Sequence, residues 1–326
     1  MHRPLKKLMY STIGPAYVRM YKRYRPVILM YHGVTKDAEI DGRFDKHVIE
    51  TQFSEQLRKI KKYFRIVSLE EMLDRSMYAG RSQINEPIAA LTFDDGFLNN
   101  YEVAAPILEE HQAVASIFLA TGYIGRERWM WTDYLEHVIY SDLSEIISPA
   151  GESVRLDNSV TRKRTLQEFK RELKTVGHVT VEEYFKQIEL LYPQVKAKPY
   201  GNYAFMNWEQ ARALQRAGHR IGAHTVNHPL LSKIDRDEAQ LEMLSSRADI
   251  LQHVGHCSEI FCYPNGKKQD YSSANTAFVA RHFKAALATT EGYVDANQRY
   301  EIRRIGVGRS TSLNRLLWVM TDYATR

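Results

Sequence analysis

Residues 88–97, IAALTFDDGF, place two carboxylates directly behind an apolar run and follow them with glycine. The run 88–93 has the length and composition of a short buried strand, so Asp94 and Asp95 are expected at its carboxyl end. Adjacent carboxylates repel each other unless a cation shares their site, and Gly96 lets the chain bend sharply. An Asp-Gly pair is also common in surface turns, so this stretch alone leaves two interpretations open.

The same alternation of apolar runs and helix-like segments extends along most of the chain. Strands are predicted at residues 26–32, 64–67, 88–93, 115–120, 219–224, 259–263, 284–289 and 302–307. In the helix predicted at 235–253, the side chains expected to face the core are Leu241, Leu244, Ala248 and Leu251. This alternation favours an α/β fold with a parallel sheet and outer helices, as a closed or nearly closed barrel. No Gly-rich dinucleotide motif follows the first strand, which weakens the open-sheet alternative.

Residues 126–203 interrupt this rhythm with a polar, charged and mostly helical sequence. They are interpreted as a largely helical insertion in one domain, residues 26–326, which follows a basic N-terminal segment, residues 1–25. The insertion begins with the aromatic-rich stretch WMWTDYLEHVI at 129–139. These rings could line a groove, but packing against the main domain is favoured because large aromatic side chains usually dominate cores.

Composition bounds the class of protein. The 326 residues are 44% hydrophobic and 26% charged, the balance of a soluble globular protein, and two cysteines provide no disulfide framework. The net charge of +6 is concentrated early in the chain, which fits a solvated basic face or peripheral contact with a membrane. No signal peptide or membrane span is recognised, so a cytoplasmic location is expected, with the inner membrane face as an alternative. No RNA-binding motif is present, so nucleic acid is not an expected partner, and the sequence does not predict an oligomeric state.

A second stretch, GAHTVNHP at 222–229, carries two histidines four positions apart. This spacing allows His224 and His228 to bind one metal ion. Because the carboxyl ends of barrel strands meet on one face, these imidazoles are expected to converge with Asp94 and Asp95. Two histidines and one carboxylate form a catalytic metal set, whereas an isolated HxxxH pattern more often marks ordinary core or surface histidines.

A third stretch, FCYPNGKK at 261–268, ends another predicted strand in a tight turn. Pro264 and Gly266 fix the backbone there, so free amides could face a developing oxyanion. The alternative is an ordinary turn.

Four motifs, MYHGV (30–34), TFDDG (92–96), HTVNHP (224–229) and YPNG (263–266), together resemble the polysaccharide deacetylase family, which is defined by the NodB homology domain (carbohydrate esterase family 4). The resemblance covers the chain from about residue 26 onward and implies a distorted (β/α)7-type barrel. It implies that Asp94 is the general base. It also implies that Asp95, His224 and His228 hold a divalent metal, first of all Zn²⁺, with Co²⁺, Mn²⁺ or Ni²⁺ as alternatives.

The implied reaction is metal-assisted removal of N-acetyl groups from an N-acetylhexosamine-containing glycan or its precursor. Further residues expected at the substrate or oxyanion site are His32, Tyr263, Pro264, Asn265 and Arg304. Two other functions stay open: hydrolysis of another C–N bond, such as a formamide or cyclic amide, and glycan binding by a catalytically degenerate barrel.

The chain departs from the family pattern at two points. Cys262 stands where many members carry an arginine that orients the base, so Arg303 or Arg304, at the end of the last strand, is expected to replace it. The usual Leu-x-His motif near the C-terminus is missing, which leaves the proton donor unassigned. His32 is expected to line the same mouth, and His282 to be structural.

Overall fold

The computed structural model of the chain describes residues 24–36, 45–77, 86–176 and 178–324. Its strands are β1 Val27–Tyr31, β2 Gly33–Thr35, β3 His47–Ile49, β4 Arg65–Ile66, β5 Ile88–Phe93, β6 Ala115–Leu119, β7 Glu145–Ile147, β8 Ser153–Arg155, β9 Arg220–Ala223, β10 Ile260–Cys262, β11 Ala285–Leu287 and β12 Ile305–Gly306. Its α-helices are α1 Glu50–Ile60, α2 Leu69–Met77, α3 Ala105–Glu110, α4 Trp131–Ile139, α5 Ser159–Leu173, α6 His178–Leu191, α7 Trp208–Arg216, α8 Arg236–Val254, α9 Ser273–His282 and α10 Leu313–Ala324. Every predicted strand has a counterpart. The short strands β2, β3, β7 and β8 have none among the predictions, because three residues carry little periodic signal.

A parallel sheet runs in the order β11–β10–β9–β6–β5–β1–β12, with β4 paired on β5. At its centre, β1 and β5 pair from Val27 opposite Ala89 to Tyr31 opposite Phe93. A parallel bridge between Leu287 in β11 and Ile302, just before β12, joins the two ends of this order. The curled parallel sheet with its helices confirms the distorted (β/α) barrel.

Alternate residues of each strand face opposite sides of the sheet. On β5, Ala89 and Leu91 join the large core shared with the helices, whereas Ile88 and Ala90 join a separate cluster that includes Cys262. This second cluster fills the inside of the barrel. The same alternation, continued beyond the ends of the strands, places residues 32, 94, 224 and 304 on the inner side of the barrel.

The segment between β6 and α7 forms a side unit with its own core. The helices α4, α5 and α6 pack there around the antiparallel β7–β8 hairpin. The expected packing of the entrance aromatics against the main domain is wrong for Trp129 and Tyr134, which pack within this unit. The unit has enough apolar side chains to bury them itself. The neighbouring Met130 does reach the barrel, where it packs with Phe97 and Phe205. The bounds 126–203 stay a prediction.

Helix α8 turns a different face to the core from the one predicted. Leu241 is 65% exposed and Leu251 is 45% exposed, and Leu244 and Ala248 are exposed as well. The residues that α8 buries are Ala239, Glu242, Met243, Ser246 and Ile250. Apolar side chains recur at helical spacing on both sides of this helix, so periodicity does not distinguish the two faces.

Within the described part of the chain, none of the helices is long and apolar enough to cross a bilayer. The basic N-terminal segment lies outside the described residues as far as position 23. The expected membrane contact of that segment therefore stays a prediction.

Candidate active site

The TFDDG stretch ends β5 and turns sharply at the mouth of the barrel. The N–H of Asp94 donates to the carbonyl of Tyr31 at 3.0 Å, which extends the β1–β5 pairing by one residue. Asp95 then has a φ of +76° and Gly96 a φ of +88°. Strand alternation would send the two carboxylates to opposite sides, and this left-handed turn brings both into one site.

Asp94 is paired with a buried arginine from far along the chain. The two terminal guanidinium nitrogens of Arg304 donate to the two carboxylate oxygens of Asp94 at 2.8 Å each. Arg304 is fully buried and Asp94 is 2% exposed. Burial alone would raise the pKa of Asp94, but the charge and hydrogen bonds of Arg304 hold that pKa below its usual value. Asp94 is therefore an ionised carboxylate fixed in one orientation by a bidentate pair.

This pair fits because residue 262 is small. A guanidinium nitrogen of Arg304 lies 3.2 Å from Sγ of Cys262, so an arginine at 262 would compete for the same space and the same carboxylate. The other arginine considered, Arg303, instead donates from Nε to Oε1 of Gln298 at 3.2 Å. Both arginines precede β12, which corrects their predicted place at the end of the last strand.

The second carboxylate, Asp95, faces both histidines of the HxxxH stretch. Its Oδ1 lies 3.6 Å from Nε2 of His224 and 3.4 Å from Nε2 of His228, and the three ligand atoms lie within 4.8 Å of one another. Asp95 is 2% exposed, and its Oδ1 has no hydrogen-bond partner among the described residues. A buried, unpartnered carboxylate oxygen is costly, and a cation between these atoms would satisfy it. Two imidazoles and one carboxylate with open positions also fit Zn²⁺.

The protonation of these groups favours a cation at Asp95 and His228 and opposes it at His224. Burial would raise the pKa of Asp95, but His224 and Lys46 hold that pKa well below its usual value. Burial lowers the pKa of His228 to about 3, which leaves a neutral ring. Burial also acts to lower the pKa of His224, but contacts with Cys262 and Asp95 outweigh it and raise the pKa well above its usual value. A proton on His224 therefore competes with a cation for the same carboxylate oxygen.

The ring of His224 is oriented by the neighbouring strand. Its Nδ1 lies 2.8 Å from the backbone carbonyl of Cys262, so an N–H on Nδ1 donates there and Nε2 points to Asp95. A hydrogen bond from the ring nitrogen that faces away from the metal is the arrangement that fixes the tautomer of a metal-binding histidine. Gly222, two residues earlier, allows β9 to pack closely against β6, since a Cβ at position 222 would lie 2.6 Å from the ring of Phe118.

A second possible ligand group, Asp94, His224 and Cys262, is equally compact. Arg304, however, already bonds both oxygens of Asp94. Burial also raises the pKa of the Cys262 thiol, and a protonated thiol is a poor metal ligand. The geometry therefore favours the group centred on Asp95.

A lysine that the sequence analysis does not identify lies beside Asp95. Nζ of Lys46 is 3.6 Å from Oδ2 of Asp95, lies 4.3 Å above the ring of Phe97, and donates to Oδ1 of Asp133 at 2.8 Å. Asp133 belongs to α4, so the insertion contributes a charge to the mouth of the site. Neither Lys46 nor Asp133 lies in a recognisable motif, and only this tertiary contact reveals them.

The charges of the two active-site carboxylates act on His32. His32 follows β1 and is half-buried. Burial lowers the pKa of His32, while the charges of Asp95 and Asp94 oppose that shift. The expected place of His32 at the substrate site stays a prediction. His282 packs against Phe278 on α9, with ring centroids 4.4 Å apart, as expected for a structural residue.

The YPNG turn is largely buried. Tyr263 is fully buried and stacks on Tyr271 with centroids 4.1 Å apart, and Pro264 is also buried. Both side chains are therefore buried in the core. Asn265 is half-buried and has a φ of +57°. The expected role of Tyr263, Pro264 and Asn265 at the substrate or oxyanion site stays a prediction.

Comparison with known proteins agrees with this arrangement. A family model described as polysaccharide deacetylase matches residues 81–284, more than half of the chain. The chain therefore belongs to the polysaccharide deacetylase family. YxkH of Bacillus subtilis (strain 168), named as a candidate polysaccharide deacetylase, is 22% identical over 212 residues, which cover 64% of this chain and 68% of YxkH.

Two solved structures share the fold. The deacetylase PplD of Streptococcus pyogenes, solved in complex with acetate, matches with a TM-score of 0.59 at 21% identity, covering 91% of this chain and 99% of PplD. A de-N-acetylase from Aggregatibacter actinomycetemcomitans matches with a TM-score of 0.55 at 16% identity, covering 90% of this chain and 98% of that enzyme. At these identities, the matches establish the common barrel.

Proposed function

We propose that this chain is a metal-dependent carbohydrate N-deacetylase, which hydrolyses the N-acetyl group of an N-acetylhexosamine-containing glycan or its precursor. In this proposal Asp95, His224 and His228 hold a divalent ion, with Zn²⁺ as the first choice, and Asp94 is the general base. The observation that carries the proposal is the unpartnered Oδ1 of Asp95, which faces two imidazole nitrogens beside a carboxylate fixed by Arg304.

Within this proposal, Asp94 supplies the general base of the reaction. A divalent ion bound by the three ligands would polarise the acetyl carbonyl and acidify a water molecule. Asp94 is ionised and so able to take the proton of the attacking water. Arg304 uses one lone pair on each oxygen of Asp94, and the Cys262 thiol lies 3.5 Å from Oδ1. Oδ2 keeps a second lone pair. The base therefore stays available while its orientation is fixed.

Membership of the family supports carbohydrate as the substrate class. The two structural relatives support acetyl chemistry, since PplD was solved in complex with acetate and the other protein is a de-N-acetylase. The amide bond, the glycan and the metal are the parts of the proposal that need direct measurement.

The test is acetate release from a panel of N-acetylated oligosaccharides by purified protein, after chelation and after addition of Zn²⁺, Co²⁺, Mn²⁺ or Ni²⁺. We expect metal-dependent release that Asp94→Asn and His228→Ala abolish. The matched control is His256→Ala, because His256 is exposed and lies outside the site. Release of formate or ring opening without acetate would favour another C–N hydrolase, and glycan binding without product would favour a binding protein. Absence of bound metal in the folded chain would contradict the proposal at its centre.

A further inference from the structure

The loop between the two histidines has a strained backbone. Thr225 has a φ of +66° and His228 a φ of +54°. Left-handed conformations are unfavourable for side chains other than glycine and most of all for β-branched ones. Within the loop, the N–H of His228 donates to Oγ1 of Thr225 at 3.1 Å. From outside it, the N–H groups of Thr121 and Gly122 donate to the carbonyls of Thr225 and Val226.

One buried carboxylate also supports this loop. Glu242 of α8 is 8% exposed, and its Oε2 accepts the N–H groups of both Val226 and Asn227 at 2.8 Å. Its Oε1 accepts from Nδ2 of Asn227 at 2.5 Å. A single carboxylate thus binds two successive backbone amides and one side chain of the loop. Hydrogen bonds to an ionised acceptor are roughly twice as strong as neutral ones.

We propose that Glu242 is a positioning residue for the metal site, which acts through the loop backbone to hold His228 towards Asp95. This inference rests on the proposed metal-dependent function. It also explains why α8 places a carboxylate on its inner face, among Ala239, Met243 and Ser246. In the described part of the chain, the hydrogen bonds of Glu242 go to Val226 and Asn227 and to neither histidine, so its effect on the metal would come through the shape of the loop.

The experiment must separate positioning from general support of the barrel. A second carboxylate of α8, Asp249, accepts a hydrogen bond from Oγ1 of Thr121 at 2.7 Å. Asp249→Asn therefore weakens a link between α8 and the loop after β6. Asp249 acts one step further from the histidines, since the N–H of Thr121 donates to the carbonyl of Thr225 at 3.0 Å. Glu238→Gln makes the same chemical change as Glu242→Gln at an exposed position of the same helix.

Zn²⁺ affinity would be measured by competition with a coloured chelator for the wild-type chain and the variants Glu242→Gln, Asp249→Asn and Glu238→Gln. Loss of an outer partner of a metal ligand typically costs 10- to 100-fold in affinity. We expect about that loss in Glu242→Gln and less than about twofold in the two controls. The visible spectrum of bound Co²⁺ should also change in Glu242→Gln alone, because it reports the ligand geometry.

The outcomes separate this inference from the proposed function. Wild-type chain that binds no Zn²⁺ or Co²⁺ would overturn both. Wild-type affinity and an unchanged Co²⁺ spectrum in Glu242→Gln would overturn the inference alone, as would an equal loss in Asp249→Asn. If Glu242→Gln does not fold, Asn227→Ala carries the test, since it removes one donor to Glu242. Arg128→Ala is its control, because Arg128 donates to Oδ1 of the same Asn227 and should leave the affinity unchanged. A several-fold weaker affinity in Asn227→Ala would support the inference, and unchanged affinity in that variant would overturn it.

Discussion

Replacement of Arg304 by methionine is expected to destabilise the fold strongly. Arg304 makes two 2.8 Å hydrogen bonds to Asp94, and the side chains are 0% and 3% exposed. Removal of one partner of a buried ion pair costs about 3–5 kcal/mol, because the other charge is left without compensation. Since whole domains are stable by only about 5–15 kcal/mol, this loss should be evident in urea unfolding of the metal-free chain at pH 7.

The pH dependence of this loss has a definite sign. The pKa of Asp94 is lowered in the wild type, so its contribution is present above the unfolded pKa of about 3.9 and is lost as pH falls through the folded pKa. Without Arg304, burial should raise the pKa of Asp94. The free energy of unfolding of the variant then falls as pH rises from the unfolded pKa of Asp94, about 3.9, through its raised folded pKa. The difference between wild type and variant should therefore widen from pH 4 to pH 7.

The double variant Asp94→Asn/Arg304→Met provides the control. It leaves no unpaired buried charge, so it should be more stable than the sum of the two single losses predicts. A loss below about 1 kcal/mol for Arg304→Met at pH 7, against the 3–5 kcal/mol of a broken buried pair, would refute the reasoning. So would a loss that is equal at pH 4 and pH 7, or strict additivity in the double variant.

Three further results are expected. Addition of Zn²⁺ at 100 times its Kd should stabilise the metal-free chain by about 2.7 kcal/mol in urea unfolding, and an unchanged midpoint would contradict a site formed only in the folded chain. Cys262→Arg should abolish acetate release and cost about 3 kcal/mol or more, because a second guanidinium would lie beside Arg304; an active, stable variant would contradict this. Leu241→Gln should change stability by less than about 0.5 kcal/mol and Ile250→Ala by about 2–5 kcal/mol, whereas equal losses in thermal unfolding would contradict the described face of α8.

The barrel and the meeting of the motifs could be predicted because both depend on local patterns. Apolar runs of strand length alternate with helices, and parallel strands end on one side of a sheet. Asp94, Asp95, His224 and His228 each follow such a run, so their convergence needed no knowledge of side-chain packing. The metal and catalytic roles of these residues stay a prediction.

The remainder of the site depends on contacts that no short pattern contains. Lys46 and Asp133 are separated by 87 residues, and neither has a neighbour in sequence that signals chemistry. Glu242 lies on a helix where the sequence favours the wrong face, because leucines there form a regular exposed stripe. In each case tertiary packing determines which side chains meet, and the helical period of the sequence alone does not predict those contacts.

Arg304, the residue that orients the proposed base Asp94, is synthesised late in the chain. The proposed metal ligands are all synthesised by residue 228, whereas Arg304 lies 210 residues beyond Asp94 and next to the bridge that joins the ends of the sheet. A nascent chain can therefore gather the ligand residues before the base has its partner. The segment that closes the barrel also brings the guanidinium that orients Asp94. In the proposed mechanism, a partly built barrel that held metal would therefore still lack an oriented base.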